Sequence, residues 1–207
     1  MSRPGASLSR PARRFLIGSA VLLGAVLLGH GAWIHAKGRL GQHLMTRAWA
    51  ASVEQGRAPA APWPGARTRP VARLVVPALD IDRLVLEGID LPGLAWGPGL
   101  VLGAHGHRLI AGHRDTHFRF LGDLEPGHRL SLEPALGPRS DWQVIDRTVV
   151  DSRTTRIDLD ASGPLLTLAT CYPVDGRHAD TPLRLIVRAR PLPTHAANPR
   201  EAPAWAP

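Results

Sequence analysis

The twenty residues from Phe15 to Ile34, FLIGSAVLLGAVLLGHGAWI, carry no charged side chain. As an α-helix a run of that length rises about 30 Å, the thickness of a bilayer's hydrocarbon core, and it is predicted to span a membrane. The rest of the chain must then be placed on one side or the other. Arg10, Arg13 and Arg14 precede the run and favour a cytoplasmic amino terminus, residues 1–14; Lys37 and Arg39 weaken that bias without reversing it. A cleavable signal peptide is the rival reading. Its apolar core is usually about 7–15 residues long, however, and the best cleavage candidate, Gly29-His30-Gly31, is poor. Under either reading the remainder is delivered outside the cytoplasm; as an uncleaved anchor the run makes the protein single-pass in the inner (cytoplasmic) membrane, with its folded part facing the periplasm or exterior.

The formal charge of +8 suggests nucleic acid, but its distribution does not. Residues 1–14 hold four arginines and no acid, and residues 37–70 hold six basic residues against Glu54. Between Val71 and Arg190, fourteen arginines face fifteen carboxylates, so the basic excess lies beside the apolar run and outside the expected folded domain. That is the charge pattern of membrane topology, and no nucleic-acid partner is expected.

Residues 35–70 read as a stalk and linker. Leu40, Leu44 and Ala48 recur at helical spacing and continue the apolar helix; four prolines between Pro59 and Pro70 predict a stiff, extended spacer. From Val71 the chain breaks into short apolar runs. Strands are predicted at 72–76, 83–87, 107–111, 129–133, 142–150, 165–170 and 183–189, with 93–106 mostly loop and a short helix or turn over 118–124. Seven or eight short strands with little helix make residues 71–191 an all-β barrel or sandwich. The proline-rich stretch 192–207 is predicted to be a disordered tail.

Cys171 is the only cysteine, so no internal disulfide or multi-cysteine metal site can form, and the only lysine, Lys37, lies outside the domain. A lone cysteine is most often core packing. This one ends the run Leu166-Thr167-Leu168-Ala169-Thr170, is closed off by Pro173, and precedes a polar loop. A second apolar run, Leu109-Ile110-Ala111-Gly112, ends on His113, and a thiol with an imidazole at two strand ends can form one nucleophilic site. Gly112 permits close backbone approach there. In the strand from Leu183, alternation sets Arg184, Ile186, Arg188 and Arg190 on one face. A guanidinium on a groove-lining face donates hydrogen bonds to an oxyanion and cannot act as a base. A competing constellation, His105, His107, His113 and His117, has the residue type for zinc but weak spacing; no metal and no cofactor is expected.

The segments Ile110-Ala111-Gly112-His113-Arg114-Asp115-Thr116-His117-Phe118, Thr167-Leu168-Ala169-Thr170-Cys171 and Arg184-Leu185-Ile186-Val187 resemble, in order and spacing, the three signature segments of sortases. Arg73 to Asp82 is similar to the family's first strand pair. The His-Arg-Asp-Thr-His-Phe form most resembles the sortase group of Gram-negative proteobacteria. The resemblance implies a closed β-barrel with short helices and a cysteine transpeptidase that cleaves an LPxTG-like carboxy-terminal sorting signal of a secreted protein. It implies Cys171 as nucleophile forming a thioacyl intermediate, His113 as acid and base, Arg184 at the oxyanion, Thr170 in contact with substrate, and an amine as acceptor. The alternatives are a membrane-tethered binding module in which Cys171 is packing, and a histidine-ligated zinc hydrolase.

Overall fold

The computed structural model describes residues 9–160, 162–176 and 181–193. The chain forms two compact units with their boundary between His43 and Leu44. A single helix, α1 (Arg10–Gln55), runs through the first unit and into the second. Its only proline, Pro11, sits in the first turn, where a missing N–H costs nothing. Gly56 ends it at φ +57°, a left-handed conformation that glycine adopts without strain. Phe15, Val21, Leu28 and Trp33 are each more than 60% exposed, and α1 is long and apolar enough to cross a membrane. The stalk is helical as far as Gln55, as its spacing predicts, but Gly41, Met45 and Ser52 are its buried helical residues, while Leu40 faces outward.

The second unit is a closed barrel of eight strands: β1 (Pro70–Val76), β2 (Ile81–Glu87), β3 (Gly99–Leu102), β4 (Arg108–Ala111), β5 (Arg129–Pro134), β6 (Ser140–Asp151), β7 (Leu166–Cys171) and β8 (Leu183–Pro191). Around the barrel the order is β1-β2-β3-β4-β7-β8-β6-β5, and β5 pairs with β1 to close it. Closure gives every described strand a neighbour on both sides, the β2–β3 seam being the shortest at two residue pairs. Period-two alternation explains the interior. Leu74 and Val76 of β1, Ile110 of β4, Leu166 and Leu168 of β7, and Leu185 and Val187 of β8 all fall within one buried core with Phe118 and Trp142. The Arg108 guanidinium lies 5.3 Å from the Trp142 ring, a cation–π contact inside the sheet.

Two sequence expectations are corrected. The glycine-rich stretch read as loop contains β3, which pairs in parallel with β2 and antiparallel with β4. Glycine is required there: a Cβ on Gly99 would lie 1.8 Å from the Gly88 carbonyl oxygen. The spacer expected to be extended instead folds onto the barrel, with the Trp63 ring 5.1 Å edge-on from Trp96 and the Thr68 hydroxyl donating to the Glu87 carbonyl at 3.1 Å. Half-burying the two indoles against each other offsets the extension that proline favours. The expected short helix is two turns, a π-helical one at Arg114–Phe118 and a 3-10 one at Arg119–Asp123. The tail from residue 194, like residues 1–8, lies outside the described residues.

Candidate active site

β4 and β7 run parallel, with Arg108 opposite Leu166 and Ala111 opposite Ala169. The ladder continues one residue further through the Gly112 N–H, which donates to the Ala169 carbonyl at 3.1 Å. His113 and Cys171 each lie two residues beyond the last paired alanines, so the register carries the imidazole and the thiol to the same end of adjacent strands. On the other side of β7, Cys171 pairs with Arg184 of β8. The three residues expected at the site therefore come from three neighbouring strands, β4, β7 and β8. All three line one groove of about 380 Å³.

Groove chemistry follows from strand parity. Residues 109 and 111 of β4, 169 and 171 of β7, and 184 and 186 of β8 face it, together with Leu91 and Leu94 of the short helix α2 (Leu91–Leu94). Apart from the reactive end the lining is mainly aliphatic. Ile186 and Arg184 share a face, as alternation predicts. One Arg184 nitrogen, Nη1, donates to the Thr181 and Leu183 carbonyls, both at 2.8 Å, which ties the side chain to its own strand end.

The Thr170 side chain is 3% exposed, and its hydroxyl donates to the Gly112 carbonyl at 2.8 Å. The side chain thus ties β7 to β4, and Thr170 also lines the groove with His113, Cys171 and Arg184. Gly112 has little room to be anything else: a Cβ would lie 3.1 Å from the buried Phe118 ring and 3.2 Å from Pro98. Directly after His113, the Arg114 guanidinium hydrogen-bonds to Asp115 and to the main chain at Pro173. Its Nε and Nη2 donate to Asp115 at 2.7 and 3.1 Å, and its Nη1 donates to the Pro173 carbonyl at 3.0 Å. The hydrogen bond to Arg114 holds the Asp115 carboxyl below the usual carboxylate range, and the same bond raises Arg114. Asp115, next but one to the imidazole, is thereby engaged with the guanidinium.

Among the described residues, His105, His107 and His117 do not converge with His113. His105 is exposed on a turn, whereas His107 is 2% exposed and its Nε2 is 2.9 Å from the Thr167 hydroxyl. His117 points inward; burial pushes its pKa down, against a smaller opposing pull from the Ala95 backbone, and its Nε2 is without a hydrogen-bond partner among the described residues. No group of three or more potential metal-ligating side chains converges among the described residues.

The sortase domain family matches residues 74–192, more than half of the chain. The chain belongs to the sortase family. Sortases are cysteine transpeptidases, and in this sortase the matched region covers all eight strands except the first four residues of β1. The chain is similar to sortase D of Bacillus subtilis (strain 168), with 32% identity over 106 residues, 48% of this chain and 53% of the relative. It thus spans about half the length of the curated relative it matches. The fold is shared with sortase A from Corynebacterium diphtheriae (TM-score 0.54, 24% identity, 65% of this chain and 66% of that one). It is shared also with sortase A of Listeria monocytogenes (TM-score 0.53, 20% identity, 60% of this chain and 88% of that one). Arg114, beside the groove, is a residue to which sequence reasoning gave no role. Its only signal was adjacency to His113 inside a motif, and the partner that gives it meaning, the Pro173 carbonyl, is a main-chain atom that no side-chain pattern announces.

Proposed function

We propose that this protein is a membrane-anchored sortase working outside the cytoplasm, with residues 15–34 as a single-pass anchor, residues 1–14 cytoplasmic, and residues 71–191 as the catalytic domain. The arginines before the apolar run and the near-neutral charge of the domain support that orientation. The His113–Phe118 motif supports membership of the Gram-negative proteobacterial group, and hence an inner-membrane protein facing the periplasm. Its substrate is a secreted protein carrying an LPxTG-like carboxy-terminal signal; the acceptor is an amine.

The observation that carries the reading is the strand register, which brings His113, Cys171 and Arg184 into one groove from β4, β7 and β8. The Cys171 thiolate attacks the signal's scissile carbonyl, and the carbon–sulfur bond forms as the carbonyl π pair moves to oxygen. Arg184 donates hydrogen bonds to that oxyanion. Collapse breaks the carbon–nitrogen bond, and His113 gives the departing amine its proton. A second amine then attacks the thioester, His113 takes its proton, and the carbon–sulfur bond breaks to regenerate the thiolate. The aliphatic groove walls suit the apolar part of an extended signal and keep water from competing with the amine. Thr170 holds β7 to β4 and, from its place in the groove lining, contacts the substrate beside the groove's apolar residues.

The test uses the full-length protein in detergent with a fluorogenic LPxTG peptide, with and without an amine acceptor. Cleavage and amine-dependent ligation should persist under chelation, vanish in Cys171→Ala, and fall steeply in His113→Ala and Arg184→Ala. Cleavage that survives in Cys171→Ala refutes the proposal. A folded protein that binds the peptide without ever cleaving it points instead to the binding module.

A further inference from the structure

Two hydrogen bonds bracket the reactive pair. On one flank, residue 170 donates through its side chain to the carbonyl of residue 112; on the other, Arg114 donates to the carbonyl of Pro173. His113 lies between Gly112 and Arg114, and Cys171 lies between Thr170 and Pro173, so each reactive residue is enclosed by cross-strand ties. The first tie is buried within the barrel wall. The second spans the segment leaving β4 and the loop leaving β7, where no sheet ladder holds the two together.

Arg114 is built for that span. Its side chain is 11% exposed, and two of its nitrogens are fixed on the Asp115 carboxylate while the third reaches the Pro173 carbonyl. Asp115 is itself beside the same loop: a Cβ on Gly176 would be 3.6 Å from Asp115 Oδ1. A planar guanidinium meets a carboxylate and a carbonyl at once, which a lysine ammonium on a flexible stem does not reproduce.

We infer that Arg114 is a positioning residue of the active site, bracing the Cys171–Pro173 corner against the His113 segment with Asp115 as its anchor. The inference rests on Cys171 and His113 being the reacting pair. It assigns Arg114 no contact with substrate, so its loss should disturb the alignment of thiol and imidazole and leave the aliphatic groove as it is.

The experiment measures kcat, KM and thermal melting of the full-length protein with an LPxTG peptide. Arg114→Met should lower kcat about tenfold, the scale of a sub-ångström misalignment, while KM stays near the wild-type value. Arg114→Lys should recover little of the loss. Asp115→Asn, which frees the guanidinium while leaving the Pro173 contact, should give a smaller fall in kcat. Added guanidinium ion should restore part of the turnover of Arg114→Ala and none to Arg114→Lys, whose stem fills the space. Melting read on each variant separates misalignment from unfolding, and guanidinium rescue requires a folded site. Wild-type kcat in Arg114→Met, a loss carried by KM alone, or full activity in Arg114→Lys overturns the inference. Cys171→Ala serves as the control: if it is inactive while Arg114→Met is normal, only the brace is wrong; if it is active, the underlying reading fails.

Discussion

Replacing Thr170 by valine tests the frame beneath the site. Valine keeps the branched shape and removes the hydroxyl, so the Gly112 carbonyl loses the donor now 2.8 Å away. At a position only 3% exposed, water cannot freely take the donor's place. Removing one partner of such a bond costs about 1–3 kcal/mol. The lower half of that range applies, because Gly112 itself is only half-buried. For a domain of this size each kcal/mol shifts the melting temperature by about 3–6 °C, so a fall of roughly 3–12 °C is expected. The carbonyl belongs to the residue just before His113, and freeing it should lower kcat severalfold without a matching rise in KM. Thr170→Ser keeps the donor and loses one methyl, worth about 1 kcal/mol of burial. It should melt somewhat lower yet turn over normally. Melting by circular dichroism and peptide-cleavage kinetics on the full-length protein read both effects. Wild-type kcat in Thr170→Val, or an equal kcat loss in Thr170→Ser, would refute the argument that this hydrogen bond aligns the strand ends.

Gly99→Ala should cost at least about 3 kcal/mol, since its Cβ would meet main-chain oxygen and not a yielding side chain; a variant melting within about 2 °C of wild type contradicts the tight β2–β3 contact. His117 supplies a pH signature. Burial lowers its folded pKa beneath the ordinary value near 6.5, so the unfolded chain binds more protons as pH falls. Stability is therefore full above about pH 6.5 and declines as pH drops from there toward the lowered folded value. Urea unfolding at pH 7.5 and 5.5 should show that decline in the wild type and a smaller one in His117→Gln, and an identical decline in both would show that another group is responsible.

Most of the barrel is written in apolar runs bounded by Pro, Gly and Asp, because each strand buries one face and alternation follows directly. β3 was hidden since its first residue had to be glycine to pass the Gly88 carbonyl, and glycine reads as loop. The Pro59–Pro70 segment reads as a spacer because proline's local preference is visible in sequence, while the distant Trp96 that captures Trp63 is not. At the site, Cys171, His113 and Arg184 were legible as chemistry at strand ends, but what links them is register, which depends on pairings far apart in the chain. Thr170 and Arg114 show the same limit from the other side. Their partners are the carbonyls of Gly112 and Pro173, and main-chain acceptors leave no trace in a pattern of side chains.

The most direct measurement is the intact mass of the full-length protein quenched in acid during turnover of an LPxTG peptide. The mass should rise by that of the peptide's amino-terminal fragment, with fragmentation placing the adduct on Cys171 and an added amine discharging it into a ligated product. Peptide cleavage with no such adduct under rapid quench, or the same adduct in Cys171→Ala, would contradict a thioacyl intermediate on this cysteine.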